Sequence, residues 1–108
     1  MAFNNFTAIR IREQLELFAE EFSEKKMFGG LAFLHHGKMT IGIIKNDLAV
    51  RIIQDKMDSE LAKPYVRPMD FTKRPMKEFI YVSPEGFKSE AELMHYIELG
   101  LEHAKNNL

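Results

Sequence analysis

The chain of 108 residues contains no cysteine and no tryptophan. Without thiols there are no disulfides, no thiolate zinc sites and no cysteine nucleophile. Only four serines are present, and none lies in a Gly-x-Ser-x-Gly elbow, so no hydrolase triad can be assembled. No uninterrupted apolar run exceeds four residues, as at 31–34, far short of a membrane span. No charged-then-apolar leader opens the chain, so a cytoplasmic protein without a membrane partner is expected.

What is present is enough apolar material for a core. Leu, Ile, Val and Phe account for 31 of the 108 residues, so a single domain over 1–108 is expected to fold without staples. The formal net charge of −1 hides an alternation along the chain. Residues 25–53 carry Lys25, Lys26, Lys38, Lys45 and Arg51 against Asp47, a net +4. Residues 63–77 sum to +4 as well, whereas 4–24 and 89–108 each sum to −3. The positive blocks fall on expected strands and loops, the negative ones mainly on expected helices.

Periodicity supplies the elements. Asn4 or Asn5 can cap a first helix whose stripe is Ile11, Leu15, Phe18 and Phe22. Strands are expected at 26–28, 31–35, 39–44 and 48–53, separated by Gly29-Gly30, His36-Gly37-Lys38 and Lys45-Asn46-Asp47. Loops this short demand antiparallel neighbours. A short helix at 54–63 ends at Pro64. Residues 64–77 hold three of the four prolines and read as an irregular extended loop. A last strand spans 78–83. Ser89, with Glu92 three residues on, forms a capping box for a final helix lined by Leu93, Ile97, Leu101 and Ala104. The expected fold is α+β, two-layered, with an antiparallel sheet of four to five strands and helices on one side. The other sheet face mixes Ile44, Ile53 and Arg51, which suits a dimer contact or binding surface; alternatively Phe3, Phe6 or a loop covers it.

The search for chemistry is mostly negative. Glu92-Leu93-Met94-His95 is half of a di-iron carboxylate motif, but no second copy exists, so an exposed helical pair is the simpler reading. His35 and His36 are neighbours and would point to opposite faces of a strand. His103 suits the C-terminal end of a helix. Gly37-Lys38-Met39-Thr40 resembles the end of a phosphate loop, yet Ala32 stands where the first glycine belongs and a strand follows, so it is rejected. No catalytic residue, metal or cofactor is expected. Residues 67–77 repeat Arg-Pro-Met seven positions apart, at Arg67 and Arg74. The repeat offers cations and adaptable thioethers for recognition. The favoured reading is structural, with Met69, Phe71 and Met76 plugging the edge of the core.

Several of these residues together match a known pattern. Residues 25–33 (Lys-Lys-Met-Phe-Gly-Gly-Leu-Ala-Phe), then Gly37-Lys38-Met39, Gly42, residues 48–51, Arg67-Pro68-Met69 and Arg74-Pro75-Met76-Lys77 resemble the TfoX N-terminal domain family. Lys73 and Glu78 stand where that family often has glycine. The resemblance implies a compact α+β domain with an antiparallel sheet. TfoX proteins, also called Sxy, regulate natural competence genes in some bacteria and carry a second, C-terminal domain. A stand-alone version of the N-terminal domain is therefore expected here.

The expected function is a small non-enzymatic binding or regulatory module, linked to transcriptional regulation or competence through an acidic protein or nucleic acid. Lys25, Lys26, Arg51, Arg67, Arg74 and Lys77, with Lys38, are the candidate binding residues, provided they cluster. Both long helices are acidic, which disfavours major-groove reading of DNA. A homodimer through the open sheet face is also expected. The alternative is a small anion- or metabolite-binding domain, or an enzyme, using Arg51 and the Arg-Pro-Met loop.

Overall fold

Asn4 sets the start of the first helix. Its side-chain oxygen accepts hydrogen bonds from the backbone N–H groups of Phe6 and Thr7, at 2.9 and 3.2 Å, which satisfies two otherwise orphaned donors. In the computed structural model, which describes residues 3–27, 29–69 and 77–106, helix α1 spans Asn5–Leu15. Four strands follow: β1 Ser23–Met27, β2 Gly30–His35, β3 Lys38–Ile44 and β4 Asp47–Arg51. A 3-10 turn at Gln54–Lys56 leads into the short α2, Met57–Leu61. Then come β5 Val66–Pro68, β6 Phe79–Val82 and the long α3, Glu90–Asn106.

All six strands form one antiparallel sheet in the order β1-β2-β3-β4-β6-β5. The fold class is the expected α+β architecture. The β2–β3 connection is a two-residue turn in which His36 (φ 50°) and Gly37 (φ 75°) both adopt left-handed backbone, matching the twist of the flanking strands. The capping box of α3 is formed reciprocally: Ser89 N–H donates to Glu92 Oε1 at 3.0 Å, and Glu92 N–H donates to Ser89 Oγ at 3.1 Å.

Directly paired residues share a sheet face and successive residues alternate. One face carries Phe33, Ile41, Ile43, Leu48, Val50 and Ile80, packed with Ile11 of α1 and Leu93 and Ile97 of α3. Met57 and Leu61 of α2 pack against the same cluster, so the three helices among the described residues lie on this side. Helix α1 is tied to the start of α3 by Arg10, whose Nη2 donates to the Phe87 carbonyl at 2.9 Å and whose Nε donates to Glu90 Oε1 at 2.8 Å. Helix α3 approaches β3 closely: a Cβ on Gly100 would sit 2.3 Å from the Thr40 carbonyl oxygen. Thr40 is itself an extra residue in the ladder, since Phe33 pairs with Ile41 while Leu34 pairs with Met39. Its hydroxyl donates to the Phe33 carbonyl at 2.8 Å, which occupies a buried donor at this bulge.

Two elements differ from their sequence reading. Helix α1 stops at Leu15, so Phe18 and Phe22 are not on it, although both still pack against the helix-side core from the following loop. Continuing the helix would gather Glu13, Glu16, Glu20 and Glu21 at its negative C-terminal end, where only Arg12 is basic. Within the segment assigned to irregular loop, Val66–Pro68 pairs with β6 and enlarges the sheet to six strands. Proline is tolerated there because β5 is an edge strand.

Candidate binding surface

The sheet face turned away from the helices has its own apolar cluster. Ala32, Met39, Ala49, Met69 and Phe79 are buried in it, with Met27, Leu34, Ile44 and Tyr81 partly buried around them. Phe3 packs into the helix-side core instead, and Phe6 is 72% exposed, so neither covers this face. Met69, at 0% exposure, does contribute to it. Phe71 and Met76, assigned the same plugging role, lie outside the described residues.

The register places a continuous row across this face. Lys25 pairs with Ala32, Ala32 with Gly42, Gly42 with Ala49, Ala49 with Tyr81, and Tyr81 with Arg67. The row therefore crosses all six strands, about 24 Å at the usual strand spacing, with a cation at each end and three small residues in its middle. Arg51 belongs to the same face, directly opposite Phe79.

The arginines are oriented by aromatic rings. The Arg51 guanidinium carbon lies 5.1 Å from the Phe79 ring centroid, and that of Arg67 lies 4.7 Å from Tyr81. Arg67 Nη2 also donates to Asp47 Oδ2 at 2.6 Å and its Nη1 to Ser83 Oγ at 3.2 Å. Its charge is thus partly answered within the domain. Arg51 Nε is buried and has no hydrogen-bond partner among the described residues.

The remaining candidates are dispersed. Lys26 pairs with Leu31 and so belongs to the helix-side face, at the β1 edge. Lys38 begins β3, Arg51 ends β4 and Lys77 precedes β6, which puts these three at one end of neighbouring strands. Arg74 lies outside the described residues. Lys25, Arg51 and Arg67 are the candidates that share the helix-free face. Asp47, read from the sequence as a turn residue, is the acidic partner that sequence reasoning did not anticipate. Twenty positions separate it from Arg67, and nothing in local pattern reveals such a pairing.

The histidines have specific structural partners. His35 is buried, and its Nδ1–H donates to the Glu21 carbonyl at 3.0 Å. Glu92 and His95 do not pair with one another: Glu92 is occupied in the capping box, and His95 Nε2 lies 3.0 Å from Glu60 Oε2. Glu60 is only 4% exposed and also accepts from Lys63 Nζ at 2.9 Å. Burial pushes its carboxyl upward, but the hydrogen bonds from Lys63 and then His95 outweigh this and hold it below the usual carboxylate range. Beside it, burial and then the Glu60 carboxylate push the Tyr96 phenol up. His103 is 2% exposed, 3.3 Å from Glu78 Oε1, and so is a core residue as well as a helix-end one. Among the described residues no three His, Asp or Glu side chains gather as a metal set would require.

These features define a two-layer α+β domain with one sheet face covered by helices and one that no described helix covers, the second edged by cations and aromatic-stacked arginines. The chain belongs to the TfoX N-terminal domain family, whose profile matches residues 13–104. No curated protein matches it significantly. No helix among the described residues is long and apolar enough to cross a membrane.

Proposed function

We propose that this domain is a non-enzymatic regulatory binding module whose helix-free sheet face takes an acidic protein partner in the cytoplasm. The observation that carries the reading is the row from Lys25 through Ala32, Gly42 and Ala49 to Tyr81 and Arg67. The small residues in its centre are buried within the domain, and the accessible margins, Lys25 at one end and Arg51, Tyr81 and Arg67 at the other, present cations and an aromatic ring that attract carboxylates. Its place in the family suggests a regulatory role, such as competence control, over a catalytic one.

An anisotropy titration of a labelled peptide of glutamate and leucine, beside short duplex DNA, at several salt concentrations tests this. The peptide is expected to bind with an affinity that falls as salt rises, and Lys25→Glu with Arg51→Glu to abolish it. Preferential binding of the duplex with a steep salt slope would instead make the partner nucleic acid. A homodimer through the same face is the associated proposal: sedimentation is expected to show a dimer that the acidic peptide dissociates.

One observation favours a second reading, a small-anion site at Arg51, whose buried Nε beside Phe79 has no hydrogen-bond partner among the described residues. Inorganic phosphate shifting the Arg51 Nε resonance at micromolar concentration would support that reading.

A further inference from the structure

Beyond the sheet face, the helical layer carries a second surface of opposite character. Residues 16–22, between α1 and β1, border two adjoining concavities of about 420 Å³ each, which share Phe18 and Glu20. The first has an apolar floor of Leu15, Phe18, Phe22 and Phe33. Leu17, in the same loop, is 76% exposed. The second is lined by Leu101 on the last turns of α3.

The loop and the strand that follows it are held in place by three contacts. His35 Nδ1–H donates to the Glu21 carbonyl, Lys105 pairs with Glu20, and Arg12 binds Glu24 through Nε and Nη2 at 2.7 and 2.8 Å. A groove anchored in this way loses little freedom when a ligand enters it.

The rim is acidic beyond the needs of these contacts. Glu16 and Glu21 line the first concavity and Glu98 the second, and none of the three has an ion-pair partner among the described residues. Unpaired like charges around an apolar floor repel one another until a cation enters. Lysine and arginine side chains suit both parts, since their stems cover apolar rings and their heads reach the carboxylates.

We infer that the groove beneath residues 16–22 docks a basic segment bearing aliphatic side chains, supplied by another protein. Together with the cationic sheet face, this makes the domain an adaptor with two oppositely charged surfaces.

The test uses the intact chain and a labelled peptide of lysine and leucine at helical spacing, beside an oligolysine of equal charge. Isotope-labelled protein reports where each binds. The lysine–leucine peptide is expected to shift the amides of Leu17, Phe18, Phe22 and Leu101. Its affinity should fall at least tenfold in the Glu16→Lys, Glu21→Lys, Glu98→Lys variant, whose exposed substitutions leave the urea midpoint unchanged. A single reversal at Glu85, away from the groove, should leave binding intact. Equal binding of oligolysine would overturn the inference, because the apolar floor would then contribute nothing. Absence of binding, or shifts confined to other surfaces, would overturn it too. So would self-association of the wild type that the triple variant loses, since the occupant would then be a second copy of this chain.

Discussion

Glu78 occupies left-handed backbone, with φ 63°, and from there places Oε1 3.3 Å from Nε2 of the buried His103. Its carbonyl accepts the Ile52 N–H at 3.0 Å, so the residue joins the start of β6 to the end of β4 and to α3. Glycine adopts this backbone without steric cost. A glutamate here carries the strain and gains a carboxylate contact that glycine lacks.

That trade-off is open to measurement. Glu78→Ala keeps the strain and removes the carboxylate, so it should be less stable than wild type. Glu78→Gly removes both, and should exceed the alanine variant by about 1 kcal/mol. Urea denaturation of the three proteins compares them. Equal stability of the glycine and alanine variants would show that the backbone at this position is unstrained.

The approach of α3 to the sheet makes a second prediction. Alanine is the better helix former, and in an exposed helix interior Gly→Ala stabilises by about 1 kcal/mol. At Gly100 the added methyl would instead meet the Thr40 carbonyl at 2.3 Å. Overpacking should win, and Gly100→Ala should destabilise by about 2 kcal/mol. An unchanged urea midpoint would mean that α3 lifts from the bulge without cost.

Glu60 sets a pH dependence. Its carboxyl is held below the ordinary range in the folded protein by Lys63 and His95, despite burial. A depressed folded value means the folded state favours the ionised form. The contribution is therefore complete above the unfolded carboxyl range, near pH 4.5, and is lost as pH falls through the folded value. Glu60→Gln should cost about 2 kcal/mol at pH 7, and the cost should shrink as pH falls below the ordinary carboxyl range. A gap between the urea midpoints of wild type and variant that stays constant as the protein is acidified would contradict this.

Much of the architecture was legible because short loops and periodic apolar residues each constrain it independently. The Asn4 cap, the Ser89–Glu92 box and the His36-Gly37 turn all follow from local chemistry that acts over a few residues. What escaped reading depends on long-range pairing. Val66–Pro68 is too short and too proline-rich to announce a strand, and only β6 makes it one. Because that strand was hidden, the register linking Arg67 to Tyr81 was hidden with it. Phe18 and Phe22 continue the α1 stripe in period, yet crowded carboxylates end the helix before them. Positive charge on strands and loops was visible by counting, but which cations share a face depended on the pairing of all six strands.

Binding at the sheet face opposite the described helices is the central claim. Amide shift mapping of the intact protein with the glutamate–leucine peptide measures this directly. Perturbations centred on Lys25, Arg51, Arg67 and Tyr81, and lost on reversing Lys25 and Arg51, are the predicted result. Perturbations confined to α1 and α3, or none at saturating peptide in low salt, would contradict it.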